Sequence, residues 1–392
     1  MFLKKFVKLA IKIGVLIVLP LLLVEVLMIT LDPYLFKGRY EYDPDLGFRG
    51  RAYFRMAPGF LGDDDDGTIT NRFGFNARDY SLRAAPGTFR ILFVGDSFSW
   101  AGGLKGNYTA LLERMFETRG GFEKVEVVNT GYSGTHTGEQ LIMLKKYGLQ
   151  YNPDLVVLGF FAGNDFIEAD PNRKRIILNG CELDIDRRHE HHLFGYPIVM
   201  QSRLWLFLNQ KYQVYRIQTQ ARKEAREWAA ATGQPLPTKN LPQEVFYRIQ
   251  EAKLRFLNKN VAAERFGSNV DYIFRSITEM NDLLKARNIK FMVAIYPDSF
   301  QVNPTEFDTL VTRFGLKRED YDLNRAQDLL KTFLTSKQIP YVDLWERFKA
   351  EEQKRDLYLL NDPHWNKAGN ELAAEILFQY LTTQSYDFNK LK

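Results

Sequence analysis

Short apolar runs alternate with longer amphipathic stretches from residue 90 onward. Runs of strand length lie at 91–94, 125–129, 155–160, 290–295 and 340–344, and stretches with helical spacing lie at 108–118, 137–147, 270–286, 323–336 and 367–382. Continuous apolar strands separated by helices are typical of a parallel sheet that is covered on both faces. The pattern therefore predicts an α/β fold, a three-layer sandwich with a parallel sheet.

Two segments depart from this alternation. Residues 32–89 are rich in Tyr, Phe, Gly, Arg and Asp without a sustained period, which predicts a loop-rich lead-in. Residues 166–266 turn polar and basic, with helical spacing at 202–231 and 243–265. We interpret them as a helical insertion that packs on the main domain, so that 90–392 forms one domain interrupted at 166–266.

The N-terminus predicts a membrane anchor. A basic segment, 1–12, precedes an aliphatic run at 13–31 that has about the 20 residues needed to cross a bilayer. Glu25 opposes insertion, but the Ile, Leu and Val residues around it outweigh its cost of about 3 kcal/mol. No small-residue cleavage site follows, so we expect a retained anchor. The positive-inside rule then places 1–12 in the cytoplasm and the rest of a single-pass protein outside a bacterial inner membrane, in the periplasm.

Composition and residue spacing argue against a disulfide, a nucleic-acid partner and a metal site. Cys181 is the single cysteine, so an internal disulfide is impossible. The net charge of +5 is spread along the chain, and we expect no nucleic-acid partner. The segment 187–192, Arg-Arg-His-Glu-His-His, lacks the spacing of a metal site, so we expect a solvated loop there and no metal.

A candidate nucleophile follows the first apolar run. Gly95-Asp96-Ser97 lies where the strand at 91–94 ends, and reacting groups of α/β sheets collect at such carboxyl ends. Glycine permits a sharp turn, and a serine that begins a helix has backbone amides near any oxyanion that forms. The triplet alone is a weak signal, because serine catalysis also requires a base.

His364 is the most plausible base. It directly precedes the final amphipathic stretch, and Asp362 stands two residues before it. A carboxylate so close can accept the Nδ1 proton and leave Nε2 facing a serine. The alternative, which the sequence leaves open, is that Asp362 forms a helix-entry turn and His364 is an ordinary surface residue.

Two further strand ends supply candidate oxyanion donors. Gly134 follows the strand at 125–129, and Asn164 follows the strand at 155–160. Together with the backbone amide of Ser97 they would surround a tetrahedral intermediate with three donors. Each one alone is also explained by ordinary turn chemistry.

Gly95-Asp96-Ser97, Gly134, Gly163-Asn164-Asp165 and the Asp362/His364 pair, taken in this order, resemble the blocks of the SGNH or GDSL-type hydrolase superfamily. The resemblance implies a serine esterase or acyltransferase on a flavodoxin-like sheet, without a cofactor. It implies Ser97 as nucleophile, His364 as base, Asp362 as its orienting acid, and Gly134 and Asn164 as oxyanion donors. Many members place the acid three residues before the histidine, where this chain has Asn361. The Asp-x-His-Trp-Asn segment is similar to the branch of alginate-acetylation proteins.

We therefore expect an anchored esterase or O-acyltransferase, acting with acetyl groups on an envelope or exopolysaccharide carbohydrate ester or acceptor. The resemblance adds a membrane acyl-donor protein as a partner of a transferase. His136 and Trp365 are candidate substrate contacts, although a loop hydrogen bond and core packing explain them equally well. A lipid esterase or lysophospholipase, and a non-catalytic polysaccharide-binding or scaffold protein, are the alternatives.

Overall fold

The computed structural model describes residues 2–56, 67–119, 122, 124–236, 241–261, 263–384 and 386. Its helices are α1 (Phe2–Leu35), α2 (Ser97–Trp100), α3 (Gly103–Gly106), α4 (Tyr108–Arg119), α5 (Thr137–Lys146), α6 (Asp165–Glu168), α7 (Arg203–Thr232), α8 (Gln243–Leu257), α9 (Gly267–Lys285), α10 (Ser299–Val302), α11 (Pro304–Phe314), α12 (Arg325–Ser336), α13 (Trp345–Glu352) and α14 (Lys367–Thr383). Its strands are β1 (Tyr40–Glu41), β2 (Arg49–Gly50), β3 (Phe89–Val94), β4 (Val125–Asn129), β5 (Leu155–Phe161), β6 (Arg173–Leu178), β7 (Cys181–Asp186), β8 (His191–Leu193), β9 (Tyr196–Ile198), β10 (Lys290–Tyr296) and β11 (Tyr341–Asp343).

The chain divides into two compact units. Unit 1 comprises Met1–Arg51 and Asn172–Arg222, and unit 2 comprises Ala52–Pro171 and Lys223–Lys392. The predicted lead-in and the predicted insertion each contribute to both units. Met1, the stretch 57–66 of the lead-in and residues 387–392 of the predicted catalytic domain lie outside the described residues.

The central sheet of unit 2 has five parallel strands in the order β11-β10-β5-β3-β4. The first of them in the chain, β3, lies between the second, β4, and the third, β5, which is the flavodoxin-like order. The direction in which strands are added therefore reverses at the β3–β5 pair, and a crevice opens beyond the carboxyl ends of these two strands. This order confirms the predicted α/β class and its parallel flavodoxin-like sheet.

Two apolar layers cover the sheet because neighbouring strand residues point to opposite faces. Leu92 and Val94 of β3 pack in one core with apolar residues of α5, α9 and α12. Ile91 and Phe93 pack in the other core with α4, α13 and α14. Every residue of β3 and β5 is buried, which explains the continuous apolar runs at 91–94 and 155–160. The predicted three layers are present.

The predicted strands and helices of the sheet layers end within three residues of the observed ones. The interpretation of 166–266 as helical was incomplete, because two antiparallel hairpins, β6–β7 and β8–β9, precede α7. The solvated loop predicted at 187–192 was wrong in part. His191 and His192 belong to β8, and Nε2 of His192 lies 2.8 Å from the Tyr42 hydroxyl and 3.1 Å from Glu190.

Unit 1 contains a candidate membrane span. The segment Ile11–Asp32 of α1 is long and apolar enough to cross a bilayer, and only 6% of its most apolar window is buried. The N-terminal apolar helix was predicted. By length and composition the segment qualifies as a membrane span.

Candidate active site

Ser97 lies at the crevice of the sheet, directly after the carboxyl end of β3 and at the first position of α2. Asp96 caps that helix by accepting the Phe98 N–H at 3.0 Å. Gly95 has no room for a side chain, since an ideal Cβ would lie 2.5 Å from Ser99 Oγ and 3.3 Å from the Gly159 carbonyl. The sharp turn therefore sets the Ser97 hydroxyl at the switch point of the sheet.

His364 bridges Ser97 and Asp362. Its Nε2 lies 2.7 Å from Ser97 Oγ, and its Nδ1 lies 2.5 Å from Asp362 Oδ1. The same carboxylate oxygen also accepts the His364 backbone N–H at 2.9 Å, which fixes the short turn between the two residues. The structure thus joins the three side chains in one hydrogen-bonded chain across 267 residues of sequence. In this arrangement the serine can pass its proton to Nε2 while Nδ1 is held by the acid.

The charges of this pair support a basic imidazole. Burial acts to raise the pKa of Asp362, but the His364 charge and hydrogen bonds outweigh it and hold that pKa below its usual value. Burial acts to lower the pKa of His364, but the Asp362 charge and hydrogen bond outweigh it and raise that pKa. An ionised acid beside Nδ1 therefore strengthens His364 as a proton acceptor.

Gly134 and Asn164 lie in the loops that follow β4 and β5, the two strands that flank β3. Gly134 is in the loop after β4, with φ of 74°, and this loop is tied to the nucleophile turn because the Tyr132 N–H donates to the Gly95 carbonyl at 3.0 Å. Asn164 precedes α6 after the end of β5, and its buried Oδ1 has no hydrogen-bond partner among the described residues. Both predicted donors thus lie in loops at the edge of the sheet where Ser97 is found, the carboxyl ends of the strands.

Comparison with known families decides the class of this site. The profile of the family described as "GDSL-like Lipase/Acylhydrolase family" matches residues 93–372, which is more than two thirds of the chain. The chain belongs to this family. It is accordingly a serine hydrolase of the acylhydrolase type, and Ser97, His364 and Asp362 all lie within the matched segment. No curated protein shows significant similarity to it.

The acylhydrolase is also similar to solved structures at low identity. An acetyl xylan esterase, AlAXEase, is 15% identical over 75% of this chain and 100% of its own, with a TM-score of 0.41. An acetyl-xylooligosaccharide esterase from Geobacillus stearothermophilus is 12% identical over 76% and 97%, with a TM-score of 0.40. A lipolytic protein of the G-D-S-L family from Veillonella parvula is 10% identical over 76% and 100%, with a TM-score of 0.39. These similarities do not indicate a substrate.

Removal of the Asn164 amide is expected to slow catalysis in the acylhydrolase. If Asn164 donates to the oxyanion, Asn164→Ala lowers kcat by about 10²- to 10³-fold with little change in KM. Asn324→Ala is a matched control, because Asn324 also precedes a helix without capping it through its side chain, at α12. Steady-state rates on a short-chain ester give the comparison, and a wild-type kcat for Asn164→Ala would exclude the donor role.

Trp365 does not line the site as a substrate contact. It is 4% exposed and packs behind His364 in an aromatic cluster, with ring centroids 4.9 Å from Phe98 and Tyr296 and 5.1 Å from Phe348. The prediction of a substrate contact was therefore wrong, and core packing, the alternative, is correct. Its place after His364 instead anchors the turn that carries the base.

His136 is a helix cap. Its Nδ1 accepts the Gly138 N–H at 3.2 Å at the start of α5, its backbone N–H donates to Glu139, and the residue is 7% exposed. The ring also lies edge-on to Tyr272, at 5.6 Å. These contacts contradict the predicted role at the rim of the site, because the ring faces protein groups.

Two buried acids near Ser97, Asp96 and Asp165, accept backbone N–H groups. Asp165 accepts the Phe161 N–H at 3.0 Å, and burial together with the Asp96 charge raises its pKa well above the usual range. Burial raises the pKa of Asp96 to about 6, and its Oδ2 has no partner among the described residues. Within the described part of the chain no group of three or more His, Cys, Asp or Glu side chains is arranged to hold a metal ion.

A buried polar network behind Asn164 escaped the sequence analysis. Lys253 of α8 donates to Asp298 Oδ2 at 2.8 Å, and Gln250 donates to Asp298 Oδ1 at 2.9 Å and to Glu306 at 2.8 Å. Burial, together with the Asp298 charge, raises the pKa of Glu306 to about 7. The Lys253 charge also acts to lower the pKa of His364, with a smaller effect than burial and the charges of Asp362 and Asp96.

This network packs directly against the loop that carries Asn164. An ideal Cβ on Gly163 would lie 2.2 Å from Asp298 Oδ2 and 2.5 Å from the Phe161 ring. The Asp298 carboxylate, held by Lys253 and Gln250, therefore sets the path of the backbone that enters Asn164. Two signals pointed to it: polar residues three apart on the apolar face of a predicted helix, and a carboxylate just after the strand at 290–295.

A methyl group at position 163 is expected to disturb both stability and catalysis. Gly163→Ala forces Asp298 or Phe161 to shift, which we expect to destabilise the protein by about 1–3 kcal/mol and to lower kcat by displacing Asn164. Gly267→Ala is the control, since an ideal Cβ there meets nothing within 4 Å. Denaturant unfolding and esterase kinetics are measured for both. Equal behaviour of the two variants would contradict the positioning role of Gly163.

Proposed function

We propose that the protein is a membrane-anchored serine esterase or O-acyltransferase that works through an acyl-enzyme on Ser97. The observation that carries the proposal is the hydrogen-bonded chain from Ser97 Oγ through both nitrogens of His364 to Asp362. A carboxylate that orients and stabilises an imidazolium, next to a serine at a helix start, is the arrangement that nucleophilic acyl transfer requires.

The proposed reaction has two symmetric halves. Ser97 Oγ attacks the ester carbonyl while its proton passes to His364 Nε2, and the carbonyl electron pair moves to an oxyanion that the Ser97, Gly134 and Asn164 donors stabilise. Collapse of this intermediate breaks the bond to the alcohol, which leaves with the proton from His364. Water or a second hydroxyl then attacks the acyl carbonyl while its proton passes to His364. Collapse of the second oxyanion breaks the bond to Ser97 Oγ, which takes the proton back from His364.

The proposed substrate is an acetyl ester of an envelope carbohydrate, or a carbohydrate hydroxyl as acceptor. Support comes from the likeness of the segment around Asp362, His364 and Trp365 to alginate-acetylation proteins. A membrane acyl-donor protein would supply the acyl group if the fate is transfer. A lipid esterase uses the same chemistry on a different ester, and acyl chain length separates the two.

The anchor is proposed from α1. Its apolar segment Ile11–Asp32 has the length of a span, and the basic residues before it favour a cytoplasmic N-terminus. In this orientation the acylhydrolase domain lies outside the cytoplasm, where envelope carbohydrates are.

The test compares the fate and the size of the acyl group. The full chain in detergent is given p-nitrophenyl esters of increasing acyl length, with and without bare oligosaccharides, and the products are separated by mass spectrometry. If the acetyl ester is turned over fastest, the products distinguish the two fates. Acetylated saccharide as a product supports transfer, and acetate as the sole acyl product supports an esterase. A strong preference for long acyl chains overturns the carbohydrate proposal in favour of a lipid ester.

A further inference from the structure

Unit 1 exposes large apolar side chains that a water-facing surface does not need. Phe194, at the tip of the β8–β9 hairpin, is 96% exposed, and Met200, just after that hairpin, is 97% exposed. Leu193 and Ile198 of the same hairpin are exposed as well. Clustered exposure of this kind marks a surface that contacts a partner or a membrane.

The first turns of α7, which follow this hairpin in the chain, also expose large apolar side chains. Trp205, Leu208, Tyr212 and Tyr215 are all exposed, and Trp205 is 67% exposed. Their spacing of three, four and three residues places them on one face of the helix. On a different face of the helix, Phe207 packs within unit 1, with its ring 5.6 Å from that of Phe36. The helix therefore packs within unit 1 only near its start, and the stripe from Trp205 to Tyr215 stays exposed in the described part of the chain.

Hydrogen bonds tie the start of α7 to the candidate span. The Glu25 carboxylate, inside Ile11–Asp32, accepts the Ser202 hydroxyl at 2.9 Å, the Leu204 N–H at 3.2 Å and the Arg203 N–H. These donors satisfy the acid that opposed insertion in the sequence. Because a helix rises about 1.5 Å per residue, Glu25 lies about 10 Å before Asp32 along α1. The start of α7 therefore lies alongside the span, level with Glu25, and not beyond the end of the span at Asp32.

Further contacts join the β6–β7 hairpin of unit 1 to the same end of α1. Asn179, between β6 and β7, donates to the Met28 carbonyl at 2.7 Å through Nδ2 and to Asp32 at 2.8 Å through its backbone N–H. The Arg203 guanidinium lies 3.9 Å from Asp32. Unit 1 is thus built around the outer end of α1, so a bilayer that holds α1 meets the surface of unit 1.

The chemistry of the exposed surface suits the headgroup region of a bilayer. Trp and Tyr rings favour this region, where an apolar ring meets polar headgroups. Cationic side chains border the face, with Lys211 Nζ 5.2 Å from the Phe207 ring and Arg216 5.9 Å from the Tyr212 ring. Basic residues beside an apolar stripe favour anionic lipid.

We propose that the β8–β9 hairpin and the first turns of α7, through Tyr215, lie in the interface of the bilayer that holds α1, as a second membrane contact in the plane of the outer leaflet. This inference rests on the proposed anchoring by α1. It assigns Leu193, Phe194, Met200, Trp205, Leu208, Tyr212 and Tyr215 to lipid. The hairpin and α7 then restrict how unit 1 is oriented on the membrane, which a single tether does not do.

Site-directed fluorescence on the full chain tests this contact. Cys181→Ser removes the single native cysteine, and a nitrobenzoxadiazole label is placed in turn on Phe194→Cys and Tyr212→Cys. Gln213→Cys is the matched control, one residue from Tyr212 and exposed on another face of α7, and Leu19→Cys reports on the span. The proteins are reconstituted in phosphatidylcholine vesicles containing phosphatidylglycerol, with nitroxide-labelled lipid or aqueous iodide as quencher. Retained esterase activity confirms the fold of each variant.

Each outcome is distinct. We expect labels at 19, 194 and 212 to be quenched by lipid nitroxide and protected several-fold from iodide relative to the label at 213. Iodide access at 194 and 212 equal to that at 213, with 19 still in lipid, overturns the second contact and leaves the anchor standing. Iodide access at 19 overturns the proposed anchor and this inference with it. Protection at 194 and 212 from both quenchers, lost as protein is diluted in lipid, assigns the surface to a second copy and overturns the lipid contact.

Discussion

Replacement of Ser97 by alanine is expected to lower kcat by about 10⁴- to 10⁶-fold, because the oxygen that would carry the acyl group is removed. The residual rate comes from the oxyanion donors and from substrate binding, which the variant retains. His364 loses a partner 2.7 Å away but keeps Asp362. The fold should therefore survive, and thermal unfolding within a few degrees of wild type checks that it does.

Ser99 provides the matched control for this variant. It stands two residues along the same short helix, fully buried, with its hydroxyl 2.7 Å from that of Tyr108. Ser99→Ala should cost about 1 kcal/mol of stability and leave kcat within roughly tenfold of wild type. If instead Ser99→Ala abolished turnover and Ser97→Ala did not, the assignment of the nucleophile would be wrong.

Asp362→Asn is expected to lower kcat by about 10³- to 10⁴-fold, because the amide favours the wrong tautomer of His364 and no longer stabilises its charged form. The variant should also move the acid limb of the pH–rate profile. His364 must be neutral to accept a proton, so kcat/KM falls below its pKa. The Asp362 charge raises that pKa, and its removal therefore shifts the acid limb to lower pH. A full pH profile on a short-chain ester measures both effects.

The position of the acid can be tested against the spacing that many family members use. Asn361 stands where those members have the acid, but here it occupies a left-handed turn with φ of 53°. The double variant Asn361→Asp/Asp362→Asn should not regain activity, because Oδ1 of residue 362 makes both contacts to His364. Recovery to near the wild-type rate would show that the acid at 362 is dispensable.

The sheet could be predicted because its strands are buried on both faces. β4 was predicted to the residue, and β3 was predicted two residues too short only because Phe89 and Arg90 precede the aliphatic run. Arg90 is fully buried within β3, where its guanidinium pairs with Glu126 and with the Tyr151 carbonyl. A buried charge is tolerated in a strand only when it has partners, and partners that are distant in the chain cannot be recognised from the sequence. The apolar run therefore seemed to begin after Arg90.

The β6–β7 hairpin of unit 1 was missed, in part for a related reason. The sequence of β6, Arg-Lys-Arg-Ile-Ile-Leu, shows no alternation, so this strand is hidden. The sequence of β7, Cys-Glu-Leu-Asp-Ile-Asp, does alternate between apolar and polar residues, and this strand signal was overlooked. Lys174 is buried in β6 because it pairs with Glu190 at 2.9 Å and donates to the Pro44 carbonyl at 2.8 Å. Both partners are distant in sequence or lie outside the strand.

At the site, contacts between residues close in the chain could be predicted from the sequence, whereas contacts between side chains of different elements could not. Asp362 and His364 are two residues apart, so their contact follows from a turn. Gly95-Asp96-Ser97 and Asn164 follow from their places at strand ends. Trp365 was misplaced because its neighbours, Phe98, Tyr296 and Phe348, come from other elements. His136 was misplaced although its capping contacts with Gly138 and Glu139 are local. The Lys253–Asp298 contact joins α8 to the turn after β10, so its two separate signals could not be connected along the sequence.

The central claim is an acyl-enzyme on Ser97, and direct detection of that adduct tests it best. The full chain in detergent is mixed with an activated acetyl ester, quenched in acid, and examined by intact-mass and peptide mass spectrometry beside Ser97→Ala and Ser99→Ala. We predict one acetyl group on the peptide that contains Ser97, present in wild type and Ser99→Ala and absent from Ser97→Ala. Folded wild-type protein that carries no adduct, from this ester or from a fluorophosphonate probe, would contradict catalysis through Ser97 and favour a binding or scaffold role.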